Sequence, residues 1–147
     1  MTAVGGITRV TNSGLSMVDW KLISDIKPPV NETEWIDLFE RYKEFPEYQK
    51  INKGMQLAGF KKIFFWEYIH RLLGRVIGII FIIPFLFFLV RRWLDNSLKR
   101  RLITLLILGS LQGFLGWFMV KSGLIEIPRV SHFRLAMHLG VAYIIIA

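Results

Sequence analysis

His70 lies seven residues past Ile63, inside an apolar run that continues to Val90, and His138 lies eight residues past Val130, inside a run that continues to Ala147. If each run is a helix, a rise of about 1.5 Å per residue puts both imidazoles roughly 10–12 Å from the start of their runs. Two histidines at one depth, on helices that enter from the same side, can face each other across a bundle. That arrangement grips a haem iron between two axial nitrogens, with the porphyrin plane lying between the helices. His70 and His138 are therefore the candidate metal ligands of a haem-like cofactor. A carboxylate-rich dimetal site would need Glu and Glu-x-x-His from several helices, and the run from Val130 to Ala147 contains no acid.

Glu67 precedes His70 by three residues, so the two share a helix face about one turn apart. A carboxylate at that depth is costly unless it is paired, protonated or near water. Arg71, Arg75 and Arg134 are the cations near the same helix ends. They can pair with Glu67 or bind the carboxylate tails of a porphyrin through charge-assisted hydrogen bonds. Blander roles exist for each: a buried histidine bonding across helices, an arginine snorkelling to the interface. The matched pair together with Glu67 favours a site, because ionisable residues inside spans default to functional ones. His132, at the mouth of the third run, reads as interfacial and non-ligating.

The elements that must position these residues follow from how hydrophobicity is distributed. The chain has 147 residues, 53% hydrophobic and 20% charged, with no cysteine and a net charge of +8. Aromatic content and long apolar runs exclude a disordered chain, and the lack of cysteine excludes a disulfide scaffold or a thiolate metal site. The basic residues flank apolar runs instead of gathering on one soluble face, which points to a membrane protein and away from nucleic acid. Three runs are long enough to cross a bilayer, which takes about 20 helical residues. The expected fold is all-α, a polytopic transmembrane helix bundle. Its expected division is the tail of a truncated span over 1–8, an exported loop over 9–62, a span over 63–90 and a basic inside loop over 91–101. A span over 102–122, an outside loop over 123–129 and a truncated span over 130–147 follow. A helix cut at both ends of the chain reads as a fragment of a larger protein.

Orientation follows from the loops. Arg91, Arg92, Lys99, Arg100 and Arg101, opposed by Asp95, mark the short loop as the cytoplasmic or matrix side. The long stretch from Arg9 to Lys62 has nearly balanced charge, Asp19, Lys21 and Asp25 included, and is compatible with export. Within it Pro28-Pro29 breaks any helix, and Asn31 is placed to cap a helix over Glu32 to Phe45. Trp35, Leu38, Phe39 and Tyr42 form one apolar face of that helix, expected to pack against the bundle or the membrane surface. Gly5-Gly6 and Ser13-Gly14 are expected to mark turns around the polar stretch from Thr8 to Ser16. Pro84 is expected to kink the first span. Gly74 and Gly78, and Gly109, Gly113 and Gly116, have the spacing that lets helix backbones approach closely.

A resemblance adds to this reading. Gly5-Gly6-Ile7-Thr8-Arg9, Ser13-Gly14-Leu15-Ser16-Met17, Trp20, Pro28-Pro29 with Asn31-Glu32, and Trp35 resemble the haem A synthase family. So do Phe60-Lys61, Phe64-Phe65-Trp66-Glu67, His70-Arg71 and Gly74-Arg75. Gln112-Gly113, Gly116-Trp117, Met119-Val120, Lys121-Ser122-Gly123-Leu124, Val130-Ser131, Arg134-Leu135-Ala136 and His138-Leu139 continue it over nearly the whole chain. The absence of a cysteine pair in the first exported loop is similar to the mitochondrial and alphaproteobacterial branch, and the short Gly123–Val130 link looks bacterial.

The resemblance implies half of an eight-span protein made of two four-helix bundles, each with a histidine pair. It implies oxidation of a methyl group of haem O to the formyl group of haem A, for use by terminal oxidases. His70 and His138 match the amino-terminal pair that holds the substrate, Glu67 the catalytic acid of Glu-x-x-His, and Arg71 its neighbour. Glu67 would stabilise cationic character at the oxidised carbon or shuttle protons. A haem b would belong to the other half. Implied partners are membrane lipid, haem O, haem O synthase and oxidase assembly factors, with a homo-oligomer left open. The implied location is the bacterial inner membrane, the mitochondrial inner membrane being the second choice. Two other readings stay open: a bis-histidine cytochrome b-like electron carrier, and an assembly subunit whose histidines only pack.

Overall fold

The computed structural model describes residues 1–18, 27–124 and 130–147. Expectations resting on Asp19, Trp20, Lys21 and Asp25, and on residues 125–129 of the Gly123–Val130 link, lie outside the described residues. Among the described residues all regular structure is helical: α1 Thr2–Val10, α2 Glu32–Lys43, α3 Pro46–Lys50, α4 Leu57–Val90, α5 Asn96–Gly123 and α6 His132–Ile146.

α4 has 34 residues, about 51 Å at the helical rise, and so exceeds a hydrocarbon core of roughly 30 Å by several turns. α4 and α5 are long and apolar enough to cross a membrane, and α6 is a shorter apolar helix. Along α4 the side chains of Ile77, Ile79, Ile80 and Ile83 are exposed, as suits contact with lipid tails. The helix runs through Pro84 without ending; its missing N–H leaves the Ile80 carbonyl without the usual partner. Asp95 caps α5, its side chain accepting from the Ser97 and Leu98 amides.

α1 packs on α4, α4 on α5, and α5 on α6. Gly5 lies against His70 and Met1 reaches Gly74, so α1 runs antiparallel to α4. Gly5-Gly6 is therefore not the turn expected from its composition: both residues sit inside α1. The turn comes later, at Asn12, whose φ of 49° belongs to the left-handed region that ends helices. There the Ser13 amide donates to the Thr8 carbonyl at 2.9 Å and the Asn12 amide to Arg9 at 3.4 Å.

α2 begins at Asn31, whose side chain accepts from the Glu34 amide at 2.8 Å, while Glu34 accepts in return from the Val30 amide and the Asn31 amide group. Its apolar stripe meets the first turns of α4. Trp35 lies edge-on to Phe64, with centroids 5.1 Å apart, and Tyr42 and Phe39 lie against Phe60 at 5.0 and 5.2 Å. Met17, Phe39, Tyr42, Phe60, Ile63 and Phe64 form the buried core. Its aromatic edges add roughly 0.5–1.5 kcal/mol per pair beyond area burial. The core thus gathers around the protruding end of α4, one to two turns before Glu67.

Candidate functional site

Glu67 faces inward from α4 and is 3% exposed; Arg71, one turn on, is 8% exposed. The turn at Asn12 sends the chain back across this face, so that Ser13, Leu15, Ser16 and Met17 are buried against it. The Ser16 amide and hydroxyl each donate to Glu67 Oε2 at 2.7 Å, and the Met17 amide donates to the same oxygen at 2.9 Å. Arg71 Nη2 donates to Glu67 Oε1 and, at 3.1 Å, to the Met17 carbonyl. Four donors from two separate segments thus converge on one buried carboxylate. The charges of Glu67 and Arg71 compensate each other, which is what makes burial of both tolerable.

His70 lies one turn further along α4 than Glu67 and is partly buried. Its Nε2 faces the backbone of Gly5, where a Cβ would stand only 3.2 Å away. His138 repeats this arrangement on the second helix pair. A Cβ on Gly116 of α5 would stand 3.2 Å from His138 Cε1. Each histidine thus rests on a glycine of its antiparallel neighbour. His138 Nε2 is 3.3 Å from Gln112 Nε2, the long end of hydrogen bonding. Among the described residues, buried His138 Nδ1 and Gln112 Oε1 have no partner.

The donor types suit a haem: two imidazoles come from different helices, each packed closely on a glycine, and among the described residues one ring keeps a buried nitrogen with no partner. Buried polar groups are ordinarily matched, so the orphaned atom is compatible with a further group beside this ring. No group of three or more His, Asp or Glu residues able to hold a metal ion is present among the described residues.

The remaining expected site residues are placed less centrally. Arg75 sits on α4 one turn past Arg71 and is partly buried. Arg134 projects from α6 over the ring of Phe118, its guanidinium carbon 4.7 Å from the centroid. His132 opens α6 and is exposed. Residue types alone did not reveal Ser16 and Met17 as partners of Glu67, nor Gly5 and Gly116 as the surfaces behind the histidines. Ser13-Gly14-Leu15-Ser16-Met17 was visible only as a shared motif.

A second buried polar group lies outside the spans. Tyr42 donates to Glu47 Oε2 at 3.0 Å, and Asn52 donates to the Tyr42 oxygen at 2.8 Å. Burial, with a further contribution from Glu67, pushes the Glu47 carboxyl up to about 7, although the Tyr42 hydrogen bond pulls the other way. Burial and the neighbouring Glu47 likewise push the Tyr42 hydroxyl well above its ordinary value.

Helices of spanning length, packed antiparallel with two partly buried histidines among them, define an all-helical membrane protein. The comparisons with known proteins place it more closely. The profile described as "Cytochrome oxidase assembly protein" matches residues 1–147, and the chain belongs to that family. Similar curated proteins named "Heme A synthase" come from Flavobacterium psychrophilum, 56% identical over 149 residues, and Nitrosospira multiformis, 52% identical over 147. Another, from Rhodospirillum centenum, is 51% identical over 147 residues. In each case the whole of this chain is covered but only 44%, 41% and 39% of the relative. The chain thus spans less than half the length of the curated relatives it matches. No solved structure matches it significantly.

Proposed function

We propose that this chain supplies the substrate-holding half of a haem A synthase, an oxidoreductase that converts a methyl group of haem O into the formyl group of haem A. The observation that carries this reading is the pair His70 and His138, each backed by a glycine on its antiparallel neighbour. The family match and the relatives named for haem A synthesis support it. In this reading His70 and His138 hold the iron of the substrate and fix the tilt of its ring. Glu67 and Arg71 lock the Ser16-Met17 segment over the outer side of the site, and Arg134, one turn before His138 on α6, lies on the side where the carboxylate tails of a porphyrin would emerge, whereas Arg75 lies deeper along α4 than His70. The oxidative chemistry belongs to the iron and its redox partners; the protein supplies binding, orientation and electrostatics.

The proposed setting is a bacterial inner membrane. Haem O synthase would deliver the substrate and oxidase assembly factors would receive the product. A haem b that carries electrons would lie in the half of the relatives outside this chain. The test is spectroscopic. Purified protein should show sharp reduced bands that are lost in both His70→Ala and His138→Ala, and pyridine haemochrome analysis of extracts should show haem O or haem A. A colourless protein would sink the reading.

One observation keeps a second reading in play. The Glu67 carboxylate is occupied by four donors, as a structural anchor in a bis-histidine electron carrier would be. Conversion of haem O to haem A by the full-length protein separates the two: an electron carrier would hold haem b and leave added haem O unchanged.

A further inference from the structure

A cavity of about 270 Å³ lies between the Ser16-Met17 segment and the last turns of α5, lined by Met17, Val18, Trp117, Val120, Lys121 and Leu124. Its walls come from the two units that carry the histidines. Met17 is held by Glu67 and Arg71, one turn from His70. Trp117 and Lys121 continue the helix that presents Gly116 to His138. Lys121 is five residues beyond Gly116, about 7.5 Å along the helix axis, toward the end of α5 that the basic inside loop assigns to the outer face. The cavity is therefore displaced outward along α5 from Gly116, on the face of that helix turned toward the Met17-Val18 segment, which is held to Glu67 one turn before His70.

The chemistry of the lining is that of a receptor for such an arm. Five residues are apolar or aromatic and one is a cation. The Lys121 ammonium stands 4.9 Å over the Trp117 ring, a position that orients it without neutralising it. Among the described residues no carboxylate pairs with it. Arg71, closer to His70, is already engaged with Glu67 and the Met17 carbonyl.

We propose that this cavity is the seat of one propionate of the bound macrocycle, with Lys121 as its counter-ion and Trp117 and Met17 as its walls. The inference rests on the haem-binding reading above and adds to it a residue that sets which way round the ring enters. A propionate seated here, beside the Ser16-Met17 segment, fixes the rotation of the ring about the axis joining the histidines. Lys121 is thus a binding and positioning residue for the substituent that is to be oxidised.

The test uses the full-length protein in nanodiscs, titrated with ferric protoporphyrin IX and with its dimethyl ester, which has the same ring and iron but no anionic arms. The quantity read is the part of the Soret change that is lost in His138→Ala. Lys121→Met should weaken the acid form about fivefold to tenfold, as loss of a charge-assisted hydrogen bond near an interface does, and change the ester less than about twofold. Lys121→Arg should restore most of the difference. Equal effects on both ligands, or none, would overturn the proposal while leaving the histidine site intact. Repeating the titrations in phosphatidylcholine discs with and without phosphatidylglycerol separates a lipid source. If Lys121→Met matters only when anionic lipid is present, the cavity binds a headgroup and the proposal fails. If the wild type shows no histidine-dependent component at all, the haem reading falls, and this inference with it.

Discussion

At Glu67 a single carboxylate receives three donors from Ser16 and Met17 and one from Arg71. Replacing it with Gln puts an amide where acceptors are needed and strands the Arg71 charge, so both the loop and the pair suffer. Glu67→Gln is expected to leave haem bound but to block formyl formation. Ser16→Ala, which removes one donor and keeps the acid, is expected to cost about 1 kcal/mol of stability and only part of the conversion. Haem A analysis of membranes checks both, and unchanged conversion in Glu67→Gln would remove the acid from the reaction. Glu47 supports a different expectation. Its folded value of about 7 lies above its ordinary 4.5, so the folded loop binds this proton more tightly than the unfolded chain does. The resulting stability is fully present below about pH 4.5 and is lost as the pH rises through 7. Glu47→Gln keeps a neutral side chain that accepts from Tyr42. It should raise stability by about 3 kcal/mol at pH 8 and by little at pH 4. Thermal unfolding at the two pH values is the measurement; an equal change at both would contradict the assignment.

At the scale of elements, the two helix pairs share one device: a histidine on one helix seated on a glycine of its antiparallel neighbour. Gly5→Val and Gly116→Val should push the rings away and remove at least half of the reduced haem bands. Gly6→Ala and Gly113→Ala, where an added Cβ meets nothing within 4 Å, should leave the spectrum unchanged. Loss of the bands in the second pair as well would deny any special role to the first. These contacts also show what the sequence makes legible. The apolar runs, the capping Asn31, the Trp35–Tyr42 stripe and the two histidines follow from periodicity and from the cost of burying polar groups. Gly5-Gly6 does not, because glycine serves a turn and a close helix crossing equally well, and only the partner at His70 decides between them. Nor do the partners of Glu67, since Ser16 and Glu67 are 51 residues apart and no local pattern links them. The start of α4 at Leu57 is likewise hidden: Lys61 and Lys62 interrupt the hydropathy of a helix whose first turns pack on α2.

At the scale of the molecule, Met17 ties the parts together. Its side chain belongs to the aromatic core under α2, its backbone to the Glu67–Arg71 pair, and its outer surface to the cavity beside Lys121. All of this lies at one end of the helices, and the Arg91–Arg101 segment lies at the other. If the basic end faces the cytoplasm, then the core, the histidine pair and the cavity open toward the exported side, where a porphyrin's charged arms can stay near water while its ring lies in the bundle. This chain contains no cysteine, so single cysteines placed in it and read against the unsubstituted protein report topology. Ser97→Cys, in the first turn of α5, should react with a membrane-impermeant maleimide only after the cells are opened. Gln49→Cys, exposed on α3, should react in intact spheroplasts. The reverse pattern would turn the molecule over, placing the propionate cavity on the cytoplasmic side, and haem O would then have to enter from the opposite face of the membrane.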